Sequence, residues 1–262
     1  MTKKIGFIGY GNMAKAIISG MIASGNYQKK QIMVTDLIKQ EVAVAWGETS
    51  IQVAEFSDVL VLAVKPGQYK EVINDIKDHL KRDVIIVSIA AGLKIATLES
   101  YFDSRVKIIR TMPNTPAQLN LGMTALMPNE QMQTSDINVI QAMFASVGKT
   151  EIVSEDLIEA VIVTSGSSPA YIYMMIEALI KGGMSEGMSR EMAKTFVTQA
   201  MIGACGMVLE TGAHPTDLRD AVCSPGGTTI EAVKHLQNHD FEALIMAAMK
   251  ACGDRSREMA RE

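Results

Sequence analysis

The sequence predicts an α/β chain in two parts, an amino-terminal doubly wound parallel sheet followed by an all-helical carboxy-terminal half. Three observations predict it. Apolar runs of strand length alternate with helical segments through the first half, which is the pattern of a parallel sheet covered on both faces. A glycine-rich loop joins the first strand to the first helix. Beyond residue 154 the strand signature stops and helical spacing takes over.

The first strand is Lys3-Lys4-Ile5-Gly6-Phe7-Ile8 and the first helix contains Ala16-Ile17-Ile18-Ser19-Gly20-Met21-Ile22. Between them lies Gly9-Tyr10-Gly11-Asn12-Met13-Ala14, the G-x-G-x-x-A dinucleotide fingerprint in its strand-to-helix setting. Gly9 permits the tight turn, Gly11 lets a pyrophosphate approach the backbone at the helix N-terminus, and Ala14 lets the helix pack on the strand. A second strand, Gln31-Ile32-Met33-Val34-Thr35-Asp36, ends in an acid about twenty residues on, where such folds hold the adenosine ribose. The βαβ unit of a Rossmann-type domain is then complete. A carboxylate at Asp36 accepts from a ribose 2′-OH and repels a 2′-phosphate, so between NADPH and NADH it tilts the expectation toward NADH.

Further strands are expected at Val59-Leu60-Val61-Leu62-Ala63-Val64, Val84-Ile85-Ile86-Val87-Ser88-Ile89 and Val106-Lys107-Ile108-Ile109-Arg110, with helices near 67–80 and 94–102. Ligands of open α/β sheets bind outside the carboxyl ends of the strands. The loops there make Ala63, Val64, Lys65, Pro66, Ala91, Gly92 and Asn114 candidate cofactor residues beside Gly9, Gly11, Asn12, Met13 and Asp36. Gly122-Met123-Thr124-Ala125-Leu126 and Lys149-Thr150-Glu151-Ile152-Val153 would extend the sheet edge, with a helix over 134–146 between them. Domains of 1–154 and 155–262 follow, the second carrying helices over 155–165, 169–182, 189–211, 228–238 and 240–260. The helix from Ser189 is apolar or small all round, more than one buried face requires, which points to helices packed inside an oligomer.

Composition narrows the partners. With 262 residues, 48% of them apolar, the chain suits a globular protein and neither a disordered nor a fibrous one. A net charge of -4 with no Lys/Arg run argues against nucleic acid or an anionic membrane and leaves small molecules as ligands. Lys3-Lys4 before an apolar stretch mimics a signal peptide, but Lys15 interrupts it, so neither an export signal nor a membrane span is expected. Cys205, Cys223 and Cys252 lack C-x-x-C spacing, which favours a reducing, cytoplasmic setting. The 19 methionines are expected as adaptable core filling.

Two motifs in the helical half carry chemistry. Ser224-Pro225-Gly226-Gly227-Thr228-Thr229 precedes a helix, and paired glycines let backbone N–H groups converge on an anion such as a carboxylate. In Ser165-Gly166-Ser167-Ser168-Pro169-Ala170-Tyr171, capping accounts for Ser168 and Pro169, while Ser167 and its neighbours could close over a ligand. None of the four histidines lies in a glycine loop, and no metal-ligand spacing occurs. A hydride-transfer enzyme so equipped needs a substrate requiring little acid help. Cyclic imines qualify, since their nitrogen protonates near neutral pH and the iminium carbon accepts hydride, leaving the protein to supply position and a hydrogen bond.

Together these motifs, with Ala63-Val64-Lys65-Pro66, Ser88-Ile89-Ala90-Ala91-Gly92 and Met112-Pro113-Asn114-Thr115-Pro116, resemble those of the pyrroline-5-carboxylate reductase family along essentially the whole chain. The resemblance implies reduction of 1-pyrroline-5-carboxylate to L-proline, a homodimer intertwined through the helical domain, and a ring of five such dimers. It also implies that Gly9 to Met13, Val64, Lys65 and Ala91 contact the cofactor. Ser224, Gly226, Gly227, Thr228 and Thr229 would hold the substrate, with Thr229 donating a hydrogen bond to the ring nitrogen. Two alternatives are a two-domain hydroxyacid dehydrogenase and a non-catalytic dinucleotide sensor. The first relies on a catalytic lysine after the domain boundary, yet the helix after Ser168 has none until Lys181; the second gives no reason for the two serine-glycine loops.

Overall fold

The computed structural model describes residues 3–102 and 105–259. Eight strands form one sheet: β1 (Ile5–Ile8), β2 (Ile32–Thr35), β3 (Ala45–Trp46), β4 (Val59–Leu62), β5 (Ile85–Ser88), β6 (Lys107–Pro113), β7 (Gly122–Pro128) and β8 (Gly148–Ile152). Their order is β3-β2-β1-β4-β5-β6-β7-β8. Strand order reverses between β1 and β4, which opens a crevice beyond their carboxyl ends. Helices α1 (Asn12–Ala23), α2 (Ser50–Phe56), α3 (Tyr69–Ile76), α4 (Ile95–Glu99) and α5 (Thr134–Phe144) connect the strands.

Successive side chains of a strand point to opposite faces, and here both faces are buried. Ile5 and Phe7 of β1, Val59 and Val61 of β4, and Ile85 and Val87 of β5 pack with Ile17 and Met21 of α1 and Ile140 and Phe144 of α5. Leu60, Leu62 and Ile86 face the other way, onto Val53 of α2, Tyr69, Ile73 and Ile76 of α3, and Leu98 of α4. Double burial is why these strands are unbroken apolar runs in the sequence.

The sheet differs from the expected parallel one at its far edge. β6 pairs antiparallel with β7 (Ile109 opposite Pro128, Pro113 opposite Thr124), and β8 then pairs parallel to β7. The connection from β6 to β7 is a short 3-10 turn, Thr115–Leu119, closed by Asn120 in the left-handed region at φ 59°. That segment is too short for the helical crossover that a parallel neighbour requires.

After β8 the chain passes through α6 (Ile158–Val161) into a π-helical turn, Ile162–Gly166, where a regular helix over 155–165 was expected. Next come α7 (Ser168–Ser185), α8 (Arg190–Thr211), α9 (Pro215–Ala221), α10 (Thr228–Asn238) and α11 (Phe241–Met259). By compactness the chain divides into one unit of residues 1–167 with 253–262 and a second of 168–252.

The helical unit buries little of its own apolar surface. Only Ala193 of α8 is buried, and Phe196, Ile202 and Leu209 are each more than 60% exposed. α8 is also long and apolar enough to cross a membrane by length and composition. Apolar surface of this extent marks an interaction site.

Candidate active site

Beyond β1, β2 and β4 lies a cavity of about 590 Å³ whose wall includes Gly9, Gly11, Asp36, Ala63, Val64 and Lys65. The backbone draws these loops together: the Gly9 N–H donates to the Thr35 carbonyl at 2.9 Å and the Ala63 N–H to the Ile8 carbonyl at 2.7 Å. At Gly9 φ is +100°, and a Cβ there would come within 2.5 Å of the Ala63 carbonyl oxygen. The fold itself therefore demands glycine at this position.

Gly11 is different. Its backbone is ordinary extended chain (φ -76°, ψ -177°), and a Cβ would meet no protein atom within 4 Å. Nothing in the protein's own packing excludes a side chain there. Gly11 is also the N-cap of α1 and offers no side-chain acceptor, so the first N–H groups of that helix are left without a capping side chain. An open approach to uncapped amides at the positive end of a helix fits a dinucleotide pyrophosphate.

Asp36 is fixed rather than free. Its Oδ2 accepts the Tyr10 N–H and its Oδ1 the Leu37 N–H, both at 2.6 Å, so the carboxylate ties the end of β2 to the glycine loop. A carboxylate offers about four acceptor sites, and two remain for a ribose hydroxyl. Glu48, Thr49 and Ser50 share the wall with it. Glu48 pairs with Lys39 at 2.7 Å, in an ion pair about two-thirds exposed at both ends. Sequence reasoning passed over this second acid because β3 is only two residues long. The available signal was Thr49-Ser50-Ile51-Gln52, an N-cap pattern in which the Thr49 hydroxyl accepts the Gln52 N–H at 3.2 Å.

Other candidates lie elsewhere in the first unit. Asn12 borders a separate groove with Lys15, Ser19 and Gln118, while Met13 packs against the hydrophobic core. Pro66 is an exposed residue of the 3-10 turn Pro66–Gln68, and Gln68 rather than Pro66 reaches the cavity wall. Ala91 and Gly92, the latter at φ +85°, follow β5 and are off that wall. Asn114, expected against the cofactor, has its carboxamide engaged within the protein. Its Nδ2 donates to the Ser165 carbonyl at 3.2 Å and its Oδ1 accepts the Met123 N–H at 2.9 Å, bracketing β7 to the π-helical turn. Ser167 closes that turn, its N–H donating to the Ile162 carbonyl at 2.8 Å.

In the helical unit, Ser224 to Gly227 form a turn closed by Gly227 N–H to the Ser224 carbonyl at 3.0 Å, with Gly226 at φ +71°. Proline followed by a positive-φ glycine is the signature of a type II turn. The turn delivers Gly227 as the N-cap of α10, again without a side-chain cap. Thr228 and Thr229 occupy the first two helical positions and are exposed within this unit. Inside α8, Thr195, Thr198 and Thr211 donate their hydroxyls back to carbonyls one turn earlier. At the start of a helix no such carbonyl exists, and among the described residues the Thr228 and Thr229 hydroxyls have no partner within the chain. No group of three or more His, Cys, Asp or Glu side chains is placed to hold a metal ion among the described residues.

Both halves of the chain are similar to known proteins. Residues 155–259 match the family described as pyrroline-5-carboxylate reductase dimerisation, and residues 4–92 match NADP oxidoreductase, coenzyme F420-dependent. The pyrroline-5-carboxylate reductase of Escherichia coli K12 is 43% identical, with all of both chains covered. That of Arabidopsis thaliana is 38% identical over 98% of this chain and 95% of its own. A solved pyrroline-5-carboxylate reductase from Coxiella burnetii superposes with a TM-score of 0.93 at 36% identity, covering 99% of each chain. The Plasmodium falciparum pyrroline carboxylate reductase, solved with NADP bound, gives 0.91 at 31% identity over 98% of each. With both halves matched and identity of this order along the full length, the chain belongs to the pyrroline-5-carboxylate reductase family.

Proposed function

We propose residue roles for the reaction of this family, in which 1-pyrroline-5-carboxylate is reduced to L-proline by hydride from NADPH or NADH. Bound in the first unit, the dinucleotide supplies the hydride. The observation that carries its placement is Gly11, a glycine that the fold does not require beside uncapped amides of α1. Gly9 sets the turn, Gly11 and the α1 amides face the pyrophosphate, and Asn12 and Met13 continue the loop. Ala63, Val64, Lys65 and Pro66 after β4, with Ala91 and Gly92 after β5, complete the cofactor crevice, and Asn114 holds its edge by its bracket to β7.

The substrate's carboxylate is held by the Ser224, Gly226 and Gly227 turn and the first amides of α10, with Ser167 and Thr228 contributing hydroxyls. Thr229 sits at the ring nitrogen: its hydroxyl oxygen accepts the iminium N–H, and it can donate to that nitrogen only once the hydride step has placed a lone pair there. As a C–H bond forms at the imine carbon, the electron pair of the C=N bond passes to nitrogen, which already carries its proton in the iminium form. The protein thus has no proton to deliver at the hydride step, and Thr229 orients the ring for it.

NADH is the preferred donor on this reading. Asp36 and Glu48 line the same wall, and a 2′-phosphate there would face two carboxylates. Because Asp36 also holds the glycine loop, Glu48 is the cleaner site to test. Glu48→Gln is expected to shift the ratio of kcat/KM for NADPH over NADH upward about threefold, the modest size reflecting an exposed, screened charge. An unchanged ratio would remove Glu48 from cofactor choice.

The exposed apolar faces of α7 and α8 are covered by the helical unit of a second copy, and five dimers form a ring. We take the domain boundary as residue 154 and the setting as cytoplasmic, the latter supported by Cys205, Cys223 and Cys252, which are not joined in a disulfide. Coverage by protein rather than lipid also accounts for α8, whose first turns carry Arg190, Glu191 and Lys194. Light scattering without detergent is expected to give ten times the 28.4 kDa chain mass; twice that mass would leave the dimer and remove the ring.

A further inference from the structure

We infer that Tyr69 and Ser88 are positioning residues for the cofactor, acting through a buried hydrogen-bonded chain that joins the loops after β4 and β5. The chain runs from the Ala90 N–H to Ser88 Oγ (3.4 Å), from the Ser88 hydroxyl to Tyr69 Oη (3.2 Å), and from the Tyr69 hydroxyl to the Leu62 carbonyl (2.5 Å). Each hydroxyl accepts one bond and donates the next, so the chain has one direction and its links polarise one another. Tyr69 and Ser88 are fully buried. Burial pushes the Tyr69 phenol well above its ordinary range, so at neutral pH it stays a hydroxyl able to do both.

Its location gives the chain its purpose. Leu62 and Ser88 are the last residues of β4 and β5, immediately before Ala63-Val64-Lys65 and Ile89-Ala90-Ala91-Gly92. Twisted parallel strands diverge at a crevice, and the ladder opens with them. The final rung between these two, Ile89 N–H to the Leu62 carbonyl, is already 3.4 Å long. Tyr69 supplies a short bond to the same carbonyl from the first turn of α3, just after Lys65 and Gln68 of the cavity wall. One strand further on, the hydroxyl of Thr111, one residue past the last β5–β6 pair (Ser88 opposite Arg110), donates to the Ser88 carbonyl at 3.0 Å. Side-chain hydroxyls thus reinforce the lengthening backbone rungs where the sheet opens, and they hold the cofactor loops at a fixed separation.

The inference rests on the placement of the dinucleotide proposed above. Its test measures KM for NADH and NADPH, KM for 1-pyrroline-5-carboxylate, and Tm in Tyr69→Phe, Ser88→Ala and the double variant. Each single change is expected to raise both dinucleotide KM values about fivefold, the scale of one buried hydrogen bond, with the imine KM unchanged. Since either change breaks the same chain, the double variant should be no worse than the poorer single. Ser57→Ala serves as the control for stability alone. Its hydroxyl donates to the Val53 carbonyl at 2.5 Å, equally buried but at the opposite end of β4, so Tm should fall with dinucleotide KM unchanged. If Tyr69→Phe does not fold, Ser88→Ala alone decides the matter. Dinucleotide KM values within about twofold of the wild type for the folded variants, while Gly11→Val remains impaired, would overturn the relay and leave the cofactor placement standing. Unimpaired Gly11→Val would instead overturn the placement itself.

Discussion

Replacing Gly11 by valine is expected to raise KM for the dinucleotide about a hundredfold, equivalent to about 2.7 kcal/mol, with the folded chain intact. The reason is the asymmetry between the two glycines of the loop. At Gly11 the backbone is extended and an added Cβ would have no protein atom beyond its chain neighbours within 4 Å, so a valine there would chiefly obstruct the pyrophosphate placed at this loop. At Gly9 an added methyl would run into the Ala63 carbonyl and force an L-residue to φ +100°. Gly9→Ala should therefore unfold the domain more readily, by about 3 kcal/mol or on the order of 10 °C in Tm, before any question of binding arises. Thermal melts with and without NADH separate the two. Gly11→Val should melt like the wild type and gain little from NADH, whereas a large loss of apo stability in Gly11→Val would mean that the fold needs this glycine after all.

The second large effect is expected at Thr229. Its valine analogue keeps the shape and removes a hydroxyl that has no partner within the chain among the described residues. If that hydroxyl steadies the ring nitrogen, Thr229→Val should lower kcat about tenfold to a hundredfold with dinucleotide KM unchanged, because a bond to a charged iminium is worth more than one between neutral groups. Thr228→Val, one position earlier on α10, should act mainly on the KM of the imine. Unchanged kcat in Thr229→Val would assign it to helix capping alone, with the reaction relying on position and the intrinsic reactivity of the iminium.

Much of this was legible in the sequence because the informative residues are local. Gly9, Gly11 and Asp36 announce the nucleotide fold within one βαβ unit, and the doubly buried strands announce themselves as apolar runs. Less legible was whatever depends on contacts between distant segments. The antiparallel β7 has the same composition as a parallel strand, and only the short turn before it decides its direction. The place of Asp36 at the end of β2 was legible, but its grip on the Tyr10 N–H was not, because that bond spans 26 residues. Asn114 is similar: its partners Ser165 and Met123 lie 51 and 9 residues away. The Tyr69 and Ser88 chain had no motif at all, since a tyrosine after Pro66-Gly67-Gln68 and a serine ending a strand are each ordinary residues until the fold places them together. Helical spacing over 155–165 hid the π-helical turn, whose extra residue alters no side-chain type.

One measurement tests the central claim most directly: incubating the purified chain with 1-pyrroline-5-carboxylate and either NADH or NADPH, following dinucleotide oxidation and quantifying proline in the same samples. The expected result is one proline formed per dinucleotide oxidised, with NADH the better donor. Oxidation that proceeds with small 3-oxoacids but not with the cyclic imine, or none with either, would contradict the assignment of the crevice and the Ser224 to Thr229 turn to imine reduction.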